Sequence, residues 1–223
     1  MKKILARGGV ELIAVVLGIT LSLWVDDKRE LNIIDKNNVK TLQSIKNEVR
    51  LRIDYIERKI NQYQRDIEVG EYVIKNWTDI DFDSITSKTK NDRSIVLTLK
   101  AYRAINLPIS IYNSLNSDGS IAKLDQDSIK VILNNLYEVF PAHIIDGVEN
   151  ERVLYHSFNE FIINNYPRIV EDGIGELEKN DYKKFFNDDI VLGYVLEKTH
   201  LRKFILRLIT NYHNRLINFE GML

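Results

Sequence analysis

Apolar positions follow two rhythms along this chain. From Gly8 to Val25 they run on almost unbroken (GGVELIAVVLGITLSLWV), with Glu11 the single ionisable side chain. From Leu42 they return every third or fourth residue, at Leu42, Ile45, Val49, Ile53, Ile56, Ile60, Tyr63 and Ile67. That spacing predicts one long amphipathic helix, with Leu31 and Ile34 leading into its apolar stripe. The step from Val49 to Ile53 is a stutter, so the stripe favours one helix of an intramolecular bundle over a self-associating coiled coil. Glu48–Arg52 and Asp54–Arg58, each four residues apart, are expected as ion pairs on the outer face.

The first run is long enough to cross a bilayer, which takes about 20 mostly apolar residues. A cleavable secretory signal is the competing reading, with Lys2, Lys3 and Arg7 as its charged start. Signal cores are shorter and end in a small-x-small tripeptide, whereas this run ends Ser22-Leu23-Trp24-Val25-Asp26-Asp27. Trp24 suits the headgroup level. An uncleaved single-pass anchor is therefore expected. Lys2, Lys3 and Arg7 hold the short tail in the cytoplasm against the pull of Lys28, Arg29, Lys36 and Lys40, which leaves the body on the outer side. Glu11, Ala14, Gly18 and Ser22 fall within one arc of the helix, with Thr20 opposite. Small residues on such a seam let two membrane helices approach closely, so self-association is expected there. Glu11 either snorkels or pairs with Arg7, makes an assembly contact, or lines an ion pathway.

The pattern breaks between Asn76 and Asp92. Asp79-x-Asp81-x-Asp83 opens like a calcium loop, but Ser84 and Lys90 stand where glycine and glutamate are needed, so an acidic connection is the reading. Ser94 can cap a helix running to about Asn106 and stopped by Pro108. Ile109 to Leu115 is short and apolar, closed by Asn116-Ser117-Asp118-Gly119. Asp125 or Asp127 caps a helix reaching Phe140 and ending before Pro141. A further run reaches Tyr166 before Pro167, and a loop bearing Gly173 and Gly175 follows. The final helix repeats at Leu201, Ile205, Leu208, Tyr212, Leu216 and Phe219. The fold class is all-α: a membrane anchor with a basic tail over residues 1–30, then a long amphipathic helix and a helical bundle over 31–223.

Charge and composition exclude several functions. The 31 Lys and Arg residues are matched by 32 Asp and Glu, which leaves no electrostatic footprint for nucleic acid. The absence of cysteine removes disulfides and thiolate metal sites. Glu197-x-x-His200 has the spacing of a di-iron bundle motif, but no second copy exists, and His156 with Glu160 is a weak complement. His143 and His213 stand alone. Gly173-Ile-Gly175 lacks the third glycine of a dinucleotide fingerprint, and no phosphate-binding loop or nucleophile elbow is present. No metal, cofactor or catalytic residue is expected, and no enzyme.

Glu11, Gly18, Ile19 and Leu23 stand at the positions of a Glu-apolar-Gly-Ile membrane span, with Val10 replacing a glycine and Asp26-Asp27-Lys28 replacing an Asn-Asn-Trp exit. Tyr112-x-x-Leu115-x-Ser117-x-Gly119 adds a second pattern. Together they resemble a family of uncharacterised bacterial membrane proteins, a domain of unknown function. The resemblance implies a single-pass anchor and a mainly helical body; it supplies no activity. The expected location is the bacterial inner membrane. Physically, Gly119 can close a helix in the left-handed conformation, with Ser117 or Asp118 bonding freed backbone groups and Tyr112 and Leu115 packed beneath. The function expected is a membrane-anchored scaffold, sensor or accessory subunit contacting the lipid bilayer and an unknown protein partner. The alternative is a homo-oligomeric pore, or a membrane-acting defence effector, with Glu11 on its seam.

Overall fold

The computed structural model describes the backbone of residues 2–80, 95–171 and 179–223, and the side chains of 16–80, 95–169 and 182–223. Helix α1 (Lys2–Lys75) is continuous over 74 residues, so the first apolar run and the amphipathic stripe lie on one rod. Helices α2 (Ile95–Lys100), α3 (Ser110–Ser117), α4 (Asp127–Asn134), α5 (Phe140–Asn165), α6 (Lys179–Phe185) and α7 (Asp189–Glu220) follow. Among the described residues there is no strand, and the all-α class stands. Among them, too, no helix is long and apolar enough to cross a membrane. The side chains of Gly8 to Val15, which begin the expected span, lie outside the described residues.

Helix α1 packs chiefly on α7, and α7 on α5. The stripe is buried as its period requires: Ile45, Val49, Ile56 and Tyr63 have no exposed surface. Leu31 and Ile34 do not join it. They stay exposed because α1 projects from the bundle there, with Asn38 its first tie, through Nδ2 to Asp125 Oδ2 at 2.8 Å. Two apolar clusters result. One joins Ile45 to Tyr63 with Ile144, Val148 and Ile205 to Phe219. The other joins Val69 and Val73 with Phe158, Ile162, Val191 and Val195. At Gly70, α1 and α7 approach so closely that an added Cβ would run into Thr199 Oγ1.

Three helix ends differ from expectation. Helix α2 stops at Lys100 rather than near Asn106, because side chains of other helices take up the backbone groups that would continue it; Ser94 lies outside the described residues. Pro141 does not end a helix. Residues Asn135–Val139 form a π turn that joins α4 to α5. Phe140 N–H bonds Asn135 O, five residues back, and the widened turn carries Pro141 into the first turn of α5. Asp125 is spent on Asn38, and α4 starts after Gln126 without a side-chain cap. Helix α5 ends at Asn165 before Pro167, as its sequence requires. Of the acidic connection, Asp81, Asp83, Ser84 and Lys90 lie outside the described residues, as do Gly173 and Gly175.

Candidate functional site

Residues 101–109 run without helix between α2 and α3, yet Arg103 and Ile105 on this strap are buried. A half-buried segment with no ladder of its own must find partners for the backbone groups it takes out of water. Here three helices supply them. From α7, Arg202 Nη2 donates to Thr98 O at 3.0 Å and Ala101 O at 2.6 Å, and Lys198 Nζ donates to Lys100 O at 2.6 Å. These side chains donate to the C-terminal carbonyls of α2, and the Arg202 guanidinium puts positive charge at the end that favours it. From α1, Lys59 Nζ donates to Ala104 O at 2.5 Å, Tyr55 Oη accepts from Asn106 N at 2.8 Å, and Arg52 Nε donates to Pro108 O at 2.5 Å. From α5, Glu151 Oε2 accepts from Arg103 N at 3.2 Å.

The same side chains form a charged layer between the two apolar clusters. Arg103 grips Asp66 with two bonds, Nε to Oδ2 at 2.5 Å and Nη2 to Oδ1 at 2.8 Å. Arg202 Nε donates to Glu151 Oε1 at 2.7 Å, and its Nη2 stands 3.8 Å from Asp66. Tyr63 OH donates to Glu151 Oε2 at 3.0 Å. Burial, then the Glu151 charge, raises the Tyr63 hydroxyl far above the usual tyrosine value. Burial pulls Arg103 down, but the Asp66 bond and charge outweigh it and leave its guanidinium raised. Burial and the neighbouring Arg202 bring the Lys198 ammonium down to about 7.

A second buried group sits on the strap's far end. Glu48 accepts from Ile111 N at 2.7 Å and Tyr112 N at 2.9 Å, a carboxylate at the start of α3. Arg52 Nη1 donates to Leu136 O at 3.0 Å and to Tyr212 OH at 2.6 Å, and its guanidinium lies 3.8 Å over the Tyr137 ring. These two residues thus do not form the outer-face pair their spacing suggests. Both are buried, because the face they share points into the bundle and the strap needs their charges. Asp54 and Arg58 do lie on the exposed face.

The turn residues come together. Tyr112 is buried and stacks on Tyr137 with centroids 4.1 Å apart; Leu115 packs against the first cluster. Gly119 has φ of +75°, and Asp118 Oδ1 accepts from Ser120 N at 2.8 Å, while Ser117 is exposed. A groove of about 310 Å³ separates this turn from α1, lined by Asn38, Lys40, Ser44, Asp118 and Lys123. The seam residues are not brought onto the body. Gly18 and Ser22 are exposed, and beyond the adjoining helix backbone no described atom lies within 4 Å of a Cβ built on Gly18. Side chains of Glu11 and Ala14 lie outside the described residues. His143, His156, Glu160, Glu197 and His200 are exposed, and no cluster of metal-ligating side chains occurs among the described residues. No family model, curated protein or solved structure matches the chain.

The charged layer escapes a reading that looks only for apolar positions, yet its signal is present. Arg52 falls between Val49 and Ile56 at steps of 3 and 4, where the stripe calls for an apolar residue. Glu151 follows Val148 by 3, and Lys198 and Arg202 stand between Val195 and Ile205 at steps of 3, 4 and 3. A charge in core register is a charge with a buried partner.

Proposed function

We propose that the chain is a membrane-anchored helical scaffold, sensor or accessory subunit acting through protein contacts, its bundle held off a bilayer by the N-terminal part of α1. One observation carries this reading: residues 16–37 of α1 are exposed on every side, and the part up to Val25 carries no charge and is apolar except for Thr20 and Ser22. A lone helix of that composition has nothing to hold it in water, whereas lipid covers it. Lys28 Nζ sits 4.3 Å from the Trp24 ring, a pair that suits the headgroup level. From Val25 to Asn38 the helix would hold the bundle about 20 Å above that level. The resemblance of the span and turn to uncharacterised bacterial membrane proteins points the same way, and Lys2, Lys3 and Arg7 ahead of the span favour a body on the outer side.

Flotation of the full chain with liposomes after alkaline washing tests the anchor. Wild type is expected to float, and Leu17→Asp with Leu21→Asp to stay behind, since each buried aspartate costs about 3 kcal/mol near the centre of a span. Wild type remaining in the aqueous fraction would end the reading, and specific catalytic turnover by the full chain would end its non-enzymatic part.

The small-residue spacing of Ala14, Gly18 and Ser22, with Glu11 on the same arc, favours a second reading, a homo-oligomer assembled on that seam, and from it a pore. The oligomeric mass in lipid discs separates the two. Gly18→Leu should dissolve such an oligomer; a monomer in both proteins removes the pore.

A further inference from the structure

Among its fully buried groups the charged layer is one cation out of balance, Lys59 being only half-buried at its edge. Arg103 is matched by Asp66 and Arg202 by Glu151. Lys198, only 3% exposed, is a further cation in the same layer, and its bond goes to a neutral carbonyl, Lys100 O. Around it stand Lys59, Tyr63 and Asp66 of α1, Lys100 and Arg103 at the end of α2 and on the strap, Glu151 of α5 and Arg202 of α7. With Lys198 neutral, two guanidiniums face two carboxylates. With Lys198 protonated, the layer holds a net positive charge away from water, where an uncompensated charge is costly. The strap depends on this layer, because side chains rather than a backbone ladder hold it.

We propose that residues 98–109 are a proton-linked latch, in which a proton taken up by Lys198 unbalances the buried layer and loosens its hold on the Thr98, Lys100 and Ala101 carbonyls. The neutral amine keeps a donor on Lys100 O without adding charge. The fit is double: burial next to Arg202 brings the Lys198 ammonium down to about 7, within reach of modest acidification. The strap runs directly into α3 and the turn at Gly119, so its release reaches the groove where α1 leaves the bundle.

Amide hydrogen exchange of the full chain in detergent micelles tests the latch, with rates normalised for intrinsic exchange. The amides to read are Arg103 and Asn106 on the strap and Ile209 in the core of α7. Strap protection is expected to stay below that of Ile209 at every pH, since the strap opens without global unfolding. It should fall about 10-fold from pH 8 to pH 6 and then level off, because an opened lysine keeps its proton up to about pH 10.4. Lys198→Met should remove that slope. A direct readout needs no variant and decides the matter if Lys198→Met fails to fold: the Lys198 carbon signal next to the amine should titrate near pH 7. Equal protection at strap and core, a flat strap profile, a slope that survives Lys198→Met, or a Lys198 titration above about pH 9 would each overturn the latch.

Discussion

Arg52 has no exposed surface, and each bonded edge of its guanidinium is committed to a different part of the fold: the strap at Pro108, the π turn at Leu136 and α7 at Tyr212. Arg52→Ala is expected to destabilise by about 3–5 kcal/mol, the range for breaking a buried charged arrangement. It strands the Pro108 carbonyl, leaves Leu136 O with Tyr212 OH alone, and removes the donor from Tyr212 OH. Urea denaturation reads this, and a loss under about 1 kcal/mol would mean that water replaces the guanidinium freely. Gly119 is constrained in another way. Open space surrounds it, so a methyl group meets nothing, but φ of +75° penalises any side chain. Gly119→Ala should cost about 1–2 kcal/mol from backbone conformation alone, while Ser117→Ala, at an exposed position, should be close to neutral. Comparable losses from both would remove the left-handed closure as the reason for that turn.

Periodicity carries helices α1 and α7 well, because a long run of apolar residues at helical spacing has one physical solution. It fails where a local stop signal meets a tertiary override. Pro141 reads as a terminator, yet in the π turn the carbonyl that its missing N–H would serve, Leu136 O, takes Arg52 Nη1 and Tyr212 OH at 2.8 Å instead. Helix and proline are thereby reconciled by side chains 84 and 76 residues away in sequence. The strap fails for the same reason: Val96 to Leu107 is apolar enough for a helix, and the buried donors of α7, Lys198 and Arg202, are what end α2 at Lys100. The stutter at Ile53 was likewise a sign that Arg52, not Ile53, occupies the core register. A double-mutant cycle tests the π-turn account. Tyr212→Phe should lose about 1 kcal/mol, and adding Pro141→Ala should restore part of it, because residue 141 then donates to Leu136 O. Strict additivity of the two substitutions would sink the account.

For the whole molecule, the buried layer sets how stability responds to pH. Lys198 holds its proton only below about 7 when folded, whereas an unfolded lysine holds it to about 10.4. Between those values the unfolded chain binds one more proton, so stability rises with pH across that window and is flat with respect to this group below it. Tyr63 and Tyr137 act in the opposite sense. Burial raises both hydroxyls, so above about pH 10 the unfolded tyrosines ionise first and draw the equilibrium away from the fold. The two effects together place the stability maximum on the alkaline side, at about pH 9–10, rather than near the sequence pI of 6.5. Urea midpoints measured from pH 6 to pH 11 should climb, peak and fall. Lys198→Met should reduce the climb and keep the fall, and Tyr63→Phe should shrink the fall and keep the climb, with Tyr137 supplying the fall that remains. A maximum near neutrality in wild type would mean that exposed surface charges, not the layer between the two cores, govern the protein's response to protons.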